Sequence, residues 1–259
     1  MMPSADYMSG QNEITWAMRQ TLVDWLLQVH LRYHMLPETL WIAVNIVDRF
    51  LTKRVVSLVK LQLVGVTAMF IAAKYEEILA PSVDEFVFMT ENGYSKEEIL
   101  KGERIVLQTL EFKISHYCSP YSWMRKISKA DDYDIQTRTL SKFLTEVTLL
   151  DYQFLRVKPS LVAAVGMYTA RRMLGGDWVS SSFYCFLWPG TLVTRVGNSA
   201  AYPRFGHHVT DFCFVLAGRC VRILLWLHRR TALTGTQPPR TKTDRGELLA
   251  PICLQKVRE

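Results

Sequence analysis

The stretch KLQLVGVTAMFIAAKYEEI, from Lys60 to Ile78, carries the strongest structural signal in this chain of 259 residues. Between Leu61 and Ala73 only Gln62 and Thr67 are polar, and the run closes on a Lys-Tyr-Glu-Glu cluster. A helix that is apolar on every side has to be surrounded by other helices. Its apolar run of about 13 positions is shorter than the roughly 20 that a membrane span needs. We therefore predict the central helix of a soluble helical bundle.

Charge is divided unevenly along the chain. Residues 1–178 contain 20 Lys and Arg against 20 Asp and Glu, whereas residues 179–259 contain 11 against 4. The second segment therefore carries the whole formal charge of +7, and nine of its 11 basic residues are arginine. A DNA-binding body would be basic along one face, and the neutral body argues against that class.

No motif in the chain predicts catalysis or metal binding. Ser/His/Asp and Cys/His arrangements, a P-loop and a GxGxxG sequence are all missing, and the five cysteines lack metal-ligand spacing. Asp131, Asp132 and Asp134 read as a solvated turn before a helix. We predict no catalytic residue, no metal and no cofactor. With no signal peptide at the N-terminus and scattered thiols, a reducing intracellular compartment is expected.

Residues 14–112 read as five helices. Apolar residues recur at helical spacing from Ile14 to Val29, with Thr15 as the N-cap, and Pro37 supplies a first-turn residue for the next helix. The apolar run from Lys60 forms the third helix. Two capping boxes, each a serine followed by a glutamate three residues later, begin the fourth and fifth helices. Their residues are Ser82 with Glu85 and Ser95 with Glu98.

The pattern resumes after Pro120 with helices predicted over 121–129, 135–152 and 159–174. Strand-like alternation is almost absent, so the fold class is all-α. The third helix of each set is the most apolar one, which indicates two tandem bundles, each around a central helix. The predicted organisation is an N-terminal remnant over 1–13, a first bundle over 14–114, a partial second bundle over 115–178 and an atypical basic tail over 179–259.

Four segments of the first bundle resemble the cyclin box of mitotic cyclins. They are MRQTLVDWLLQVH (18–30), PETLWIAVNIVDRFL (37–51), the Lys60–Ile78 run, and FVFMTENGYSKEEILKGERIVLQTLEF (86–112). The segments SPYSWMRKISKAD (119–131) and LLDYQFLRVKPSLVAA (149–164) resemble the second box of a fungal B-type cyclin. The resemblance spans residues 12–178 and implies tandem cyclin boxes, the second incomplete.

The resemblance implies a regulatory subunit that performs no chemistry itself. Such a subunit binds and activates a cyclin-dependent kinase, here at the G2/M transition, and acts in the nucleus and cytoplasm with no nucleic-acid or membrane partner. From Val179 the expected helices do not continue, so the tail is either disordered or translated from outside the normal reading frame. Two alternatives stay open: a non-functional truncated cyclin fragment, and a transcription factor of related fold.

In the cyclin family, a lysine and a glutamate at the positions of Lys74 and Glu103 contact the kinase. We expect neighbouring apolar residues to add contact area and an acid at the helix end to face a basic partner. These further residues are Phe70, Ile71, Leu100 and Glu77. From the residues alone, the favoured interpretation is that Lys74 extends off a buried helix and that Glu103 is a solvated acid; the resemblance favours the kinase contact instead. Glu77 has a second interpretation, an ion pair with Arg49 or Arg54.

A second surface follows from the same resemblance. In related cyclins the segment at 18–25 and a glutamine form a shallow groove for RxL-type motifs of substrates and inhibitors. The matching residues are Met18, Leu22, Trp25 and Gln62. Thr21 stands where the family usually has isoleucine, a change that weakens or retunes docking. Periodicity alone supports core positions for Met18, Leu22 and Trp25 equally well.

Overall fold

The computed structural model describes residues 2–114, 117–130 and 134–176. All regular elements in this part of the chain are helical. Eight are α-helices: α1 (Trp16–Arg32), α2 (Pro37–Lys53), α3 (Leu58–Glu76), α4 (Val83–Met89), α5 (Lys96–Thr109), α6 (Pro120–Ala130), α7 (Ile135–Val147) and α8 (Pro159–Met173). The all-α prediction and the five predicted helices of the first bundle are confirmed. The predicted tail, 179–259, lies outside the described residues.

Helix α3 is the centre of the first bundle. It packs against α1, α2, α4 and α5, and its residues from Val64 to Ala73 are buried without interruption. By length and composition alone α3, with 19 residues, is the one helix of the described part that could cross a membrane. The surrounding helices bury 61% of its apolar window, as expected for the core helix of a bundle.

The predicted helix starts are confirmed in detail. The Thr15 side chain accepts a hydrogen bond from the Met18 N–H, and Pro37 occupies the first turn of α2. Both capping boxes form, at Ser82 and Ser95. Asp134 accepts from two N–H groups at the start of α7. Each interaction satisfies N–H groups that lack a partner within the helix.

Helix α7 ends earlier than its apolar periodicity indicates. We predicted a helix over 135–152, but α7 stops at Val147 and short 3-10 helices follow at Thr148–Leu150 and Tyr152–Arg156. The Thr145 and Thr148 hydroxyls donate to nearby backbone carbonyls, an interaction that competes with regular helix geometry. Buried residues continue through the 3-10 helix at Thr148–Leu150. The apolar periodicity therefore gives no sign that the α-helix ends at Val147.

The N-terminal residues pack onto the first bundle. Tyr7–Gly10 form a 3-10 helix in which Tyr7 and Met8 are buried. The Tyr7 ring meets the Trp16 ring edge-on at 5.0 Å between centroids, and Trp16 stacks on Tyr152 at 4.4 Å. An aromatic row therefore joins this segment, α1 and the chain that follows α7, a role that the sequence prediction did not give to residues 1–13.

A buried ion pair connects the same segments. Arg19 binds Asp48 through two hydrogen bonds of 2.7 Å, from Nε and Nη2, and both side chains are about 2% exposed. The Arg19 Nη1 donates to the Leu149 carbonyl at 2.9 Å, and the Tyr7 hydroxyl donates to Asp48 at 2.7 Å. Burial together with the Asp48 charge raises the pKa of the Tyr7 hydroxyl well above its usual range.

The Asp48→Asn substitution should destabilise the fold strongly. It leaves the Arg19 guanidinium buried without its counter-charge, and the free energy of unfolding in urea should fall by about 3–5 kcal/mol. Asp84→Asn is the matched control, because Asp84 pairs with Lys96 at the surface and exposed pairs contribute about 1 kcal/mol or less. Equal losses in the two variants would contradict the importance of the buried pair.

His30 is a buried histidine near the end of α1. It is 3% exposed, and neither ring nitrogen has a hydrogen-bond partner within the described residues. Burial lowers the pKa of His30, and the Lys142 charge lowers it further. The folded chain therefore holds this imidazole neutral at a pH where the unfolded chain would already protonate it.

Stability should accordingly fall as the pH drops below about 6.5, the ordinary pKa of histidine. The unfolded state binds the proton first, so the free energy of unfolding decreases by up to about 1.4 kcal/mol per pH unit until the lowered folded pKa is reached. Urea titrations between pH 7.5 and 5.5 measure this slope, which His30→Gln should reduce. His34→Asn, at an exposed position with φ of 52°, should keep the slope. Equal slopes for wild type and His30→Gln would contradict the prediction.

Candidate functional site

Lys74 and Glu103 form an ion pair on the surface between α3 and α5. The Lys74 side chain is 43% exposed, whereas Glu103 is only 13% exposed, so Glu103 is not a fully solvated acid. The Lys74 ammonium also lies 4.2 Å from the centroid of the Phe70 ring, a favourable cation–π distance. The structure thus brings together the two charges that the sequence singled out.

The expected contribution of Phe70 and Ile71 to contact area needs correction. Both side chains are buried, Phe70 at 6% and Ile71 at 3% exposure, and the Phe70 ring packs edge-on against Phe86. Phe70 lies under the Lys74 ammonium, and both residues present almost no surface to a partner. Leu100 is half-buried. A helix that is apolar on all sides gives no periodic signal for which of its residues face outward.

Three apolar residues that the sequence prediction left out are exposed beside Lys74. Tyr75 is 50% exposed, and Ile78 and Leu79, just after the end of α3, are 97% and 91% exposed. Single exposed apolar residues are common on protein surfaces, whereas several close together in the chain indicate a contact site. The sequence could have predicted their exposure, because they lie at or just after the end of α3, where the chain leaves the bundle core.

Glu77 has a structural partner at the start of α2. Its Oε1 accepts hydrogen bonds from the Leu36 N–H at 2.7 Å and the Thr39 hydroxyl at 2.6 Å. Among the described residues, Glu77 forms an ion pair with neither Arg49 nor Arg54, the two partners considered above; the Arg49 Nη1 donates to the Lys113 carbonyl. Glu77 thus serves as a distant cap of α2, and its contact with a kinase remains a prediction.

The residues predicted for the docking groove occupy three different environments. Leu22 is buried, Met18 and Trp25 are half-buried, and Gln62 is exposed. A Cβ atom placed on Gly65 would lie 2.6 Å from Leu22 Cδ1, so glycine is what lets α1 approach α3 closely. Leu22 forms the floor between the two helices, while Met18 and Trp25, one turn to either side, keep part of their surface free.

Thr21 is exposed on the same helix. Its hydroxyl donates to the Ala17 carbonyl at 3.1 Å, so the polar group is satisfied within α1. The methyl group is then the part of Thr21 that remains for contact with a partner. We expected the Thr21 hydroxyl to weaken or retune docking. Because this hydroxyl already has a partner within α1, we expect the loss of docking affinity to be smaller.

Within the described ranges, no group of three or more His, Cys, Asp or Glu side chains is arranged to hold a metal ion. Asp131 and Asp132 lie outside those ranges. Asp134 serves as the N-cap of α7, as the turn interpretation predicted. Two candidate surfaces remain. One is the Lys74–Glu103 ion pair near the end of α3, and the other is the groove between α1 and α3 near its start.

Two domain families match this chain. The cyclin N-terminal domain matches residues 1–115, and the cyclin C-terminal domain matches residues 118–193. The chain belongs to the cyclin family. The second match extends past Trp178, the point at which the sequence pattern was expected to break.

Among curated proteins, this cyclin is similar to fungal mitotic cyclins. The G2/mitotic-specific cyclin cdc13 of Schizosaccharomyces pombe is 56% identical over 178 residues, which covers 68% of this chain and 37% of that protein. The G2/mitotic-specific cyclin-B of Emericella nidulans is 53% identical, with the same coverage. The chain thus spans 37% of the length of these two relatives.

Solved structures share the fold at low sequence identity. A viral cyclin from herpesvirus saimiri matches with a TM-score of 0.69 and 15% identity, covering 83% of this chain and 89% of that one. A chain of the yeast RNA Pol II CTD kinase complex matches with a TM-score of 0.58 and 14% identity, covering 77% and 64%. These similarities support the cyclin fold alone.

Proposed function

We propose that this cyclin is a regulatory subunit that binds and activates a cyclin-dependent protein kinase at the G2/M transition. The relatives named above are G2/mitotic-specific cyclins, and a chain of a CTD kinase complex shares the fold. The subunit itself performs no chemistry in this proposal. Its sites of action would be the nucleus and the cytoplasm, without a nucleic-acid or membrane partner.

The observation that carries the proposal is the paired Lys74 and Glu103 on a rigid, otherwise apolar bundle. Glu103 is held by α5 and Lys74 by the last turn of α3, and the exposed Tyr75, Ile78 and Leu79 follow Lys74 directly in the chain. Apolar area provides affinity at such a surface, and the two charges fix orientation. A kinase whose active arrangement binds this surface more tightly shifts toward that arrangement, about tenfold for each 1.4 kcal/mol of preference.

Exchanging the two charges provides a sharp test. The double variant Lys74→Glu, Glu103→Lys keeps an internal ion pair but presents inverted charges to the kinase. We expect its melting temperature to stay near that of wild type, while affinity for the kinase falls about 30-fold or more, because like charges then face each other. Copurification from fungal cells, followed by a histone kinase assay, measures both binding and activation.

The single variant Lys74→Glu is the comparison for stability, since it places two acids side by side. The pair Lys96→Glu, Asp84→Lys is the control for charge exchange elsewhere on the box, because Lys96 and Asp84 also pair at the surface. If the Lys74, Glu103 double variant copurifies and activates at full yield, the kinase assignment is wrong. A wild-type chain that fails to copurify would favour the non-functional fragment instead.

The α1–α3 groove supports a second partner class, RxL-type segments of substrates or inhibitors. Met18 and Trp25 keep accessible surface on either side of the buried Leu22, with the exposed Gln62 amide at the rim. A half-buried tryptophan in a shallow apolar groove is a typical anchor for a peptide side chain. The groove is thus a docking surface in this proposal and Leu22 its floor.

Trp25→Ala should weaken binding of an RxL-type peptide about 30-fold, as expected for the loss of a central aromatic contact. Fluorescence anisotropy titration of a labelled peptide with the full chain gives the dissociation constant. Trp123→Ala, at another half-buried tryptophan, should leave peptide affinity unchanged. An unchanged affinity in Trp25→Ala would show that the groove is not used.

A further inference from the structure

An arginine three residues before a serine or threonine occurs four times in the described part of the chain. Kinases that select substrates by charge recognise such a spacing, because an extended segment holds the two side chains about 10 Å apart, in separate pockets. The four hydroxyl residues are Thr52, Ser57, Ser128 and Ser141, which follow Arg49, Arg54, Arg125 and Arg138. Sequence alone does not distinguish among them.

The fold excludes three of the four hydroxyls. Ser128 and Ser141 are 1% and 0% exposed. Thr52 lies within α2, and its hydroxyl donates to the Asp48 carbonyl at 2.8 Å. A kinase acts on an accessible, extended segment, so neither a buried serine nor a helical threonine fits its active site.

Ser57 has the environment that a kinase requires. It is exposed and ends the four-residue connection between α2 and α3. The backbone is extended at Ser57, with φ of −74° and ψ of 153°, and at Arg54, with φ of −137° and ψ of 139°. The Ser57 side chain accepts no hydrogen bond at the start of α3, and Arg54 is exposed as well. Both groups that the kinase would read are thus at the surface.

Gln11 holds this connection against the bundle. Its Nε2 donates to the Leu51 and Arg54 carbonyls, each at 2.7 Å. Its Oε1 accepts from the Val56 N–H at 3.0 Å. Entry of Ser57 into a kinase active site requires that the connection lifts away locally, and the contacts that must break set the frequency of such opening. Gln11 therefore limits how often Ser57 is presented.

We propose that Ser57 is a phosphorylation site for an arginine-directed protein kinase and that Gln11 controls the rate of its modification. The Ser57 Oγ attacks the γ-phosphorus of ATP. The Oγ–P bond forms as the bond to ADP breaks, and the hydroxyl proton passes to a base of that kinase.

The product carries about two negative charges, which the Arg54 guanidinium can bind through paired hydrogen bonds. These charges lie at the start of α3, the end that borders the groove between α1 and α3. The inference goes beyond the cyclin-dependent kinase proposed above and does not depend on it, because a different class of kinase adds the phosphate.

The test treats the full chain with ATP and a purified calmodulin-dependent protein kinase, which is arginine-directed. Trypsin then releases residues 55–60, where Ser57 is the only hydroxyl residue, so mass spectrometry of this fragment reads the site alone. A synthetic peptide of residues 50–61 is the unfolded reference. We expect phosphate on most copies of the fragment from the folded chain, at an initial rate below that of the peptide.

Arg54→Gln should lower the initial rate about tenfold, the loss expected for a hydrogen-bonded charge. Trypsin then cuts after Lys53, so the fragment measured is 54–60. Arg32→Gln, at another exposed arginine, is the matched control and should leave the rate unchanged. Gln11→Ala should raise the rate at least about fivefold, because opening no longer breaks hydrogen bonds that are each worth about that factor. Melting curves verify that each variant is folded.

Absence of phosphate from the folded chain would overturn the site, whether or not the free peptide is modified. A rate in Arg54→Gln equal to that of wild type would overturn recognition through Arg54. An unchanged rate in Gln11→Ala would overturn the control by Gln11.

Discussion

The buried contact between Arg19 and Asp48 fixes the arrangement on which the rest of this cyclin depends. Two charges removed from water are tolerated only with nearly complete hydrogen bonding. Here Asp48 accepts from Arg19 and Tyr7, and Arg19 also donates to the Leu149 carbonyl. The N-terminal segment, α1, α2 and the chain after α7 therefore meet at one point. Arg19 lies one helical turn before Leu22, which packs against α3 at Gly65, so this part of α1 borders both the ion pair and the groove.

In the proposed function, helix α3 carries both candidate surfaces on one rigid element. Gln62 stands near its start and Lys74 near its end, about 18 Å apart at 1.5 Å per residue. Close packing of α3 by four neighbouring helices keeps that separation constant. A substrate segment docked in the groove and a kinase bound at Lys74 would thus be held at a set distance. Docking of this kind raises the effective concentration of a substrate at the kinase without any change in the kinase itself.

Local signals in the sequence predicted where the helices begin, but they missed the end of α7 at Val147 and did not identify the surfaces. Caps such as Ser82 and Ser95 act within one turn, so their spacing predicts a helix start directly. The Arg19–Asp48 pair joins positions 29 residues apart, and no local pattern records such a contact. Glu77 also acts at long range, because it caps α2 from the end of α3. The burial of Phe70 was missed for another reason: α3 is apolar on all sides, so its periodicity does not show which residues face outward. The family resemblance supplied Lys74 and Glu103, and the structure added that they pair with each other.

That pairing limits what the two charges can contribute to binding. A kinase that contacts Lys74 and Glu103 has to exchange their mutual ion pair for new ones, and such an exchange is close to neutral in free energy. The gain is directional, because a partner with misplaced charges leaves both groups unsatisfied. In the proposed complex, affinity then comes from apolar surface, and the exposed Tyr75, Ile78 and Leu79, directly after Lys74 in the chain, are the candidates for it. In the proposed complex, charge therefore selects the orientation of the kinase and apolar contact holds it.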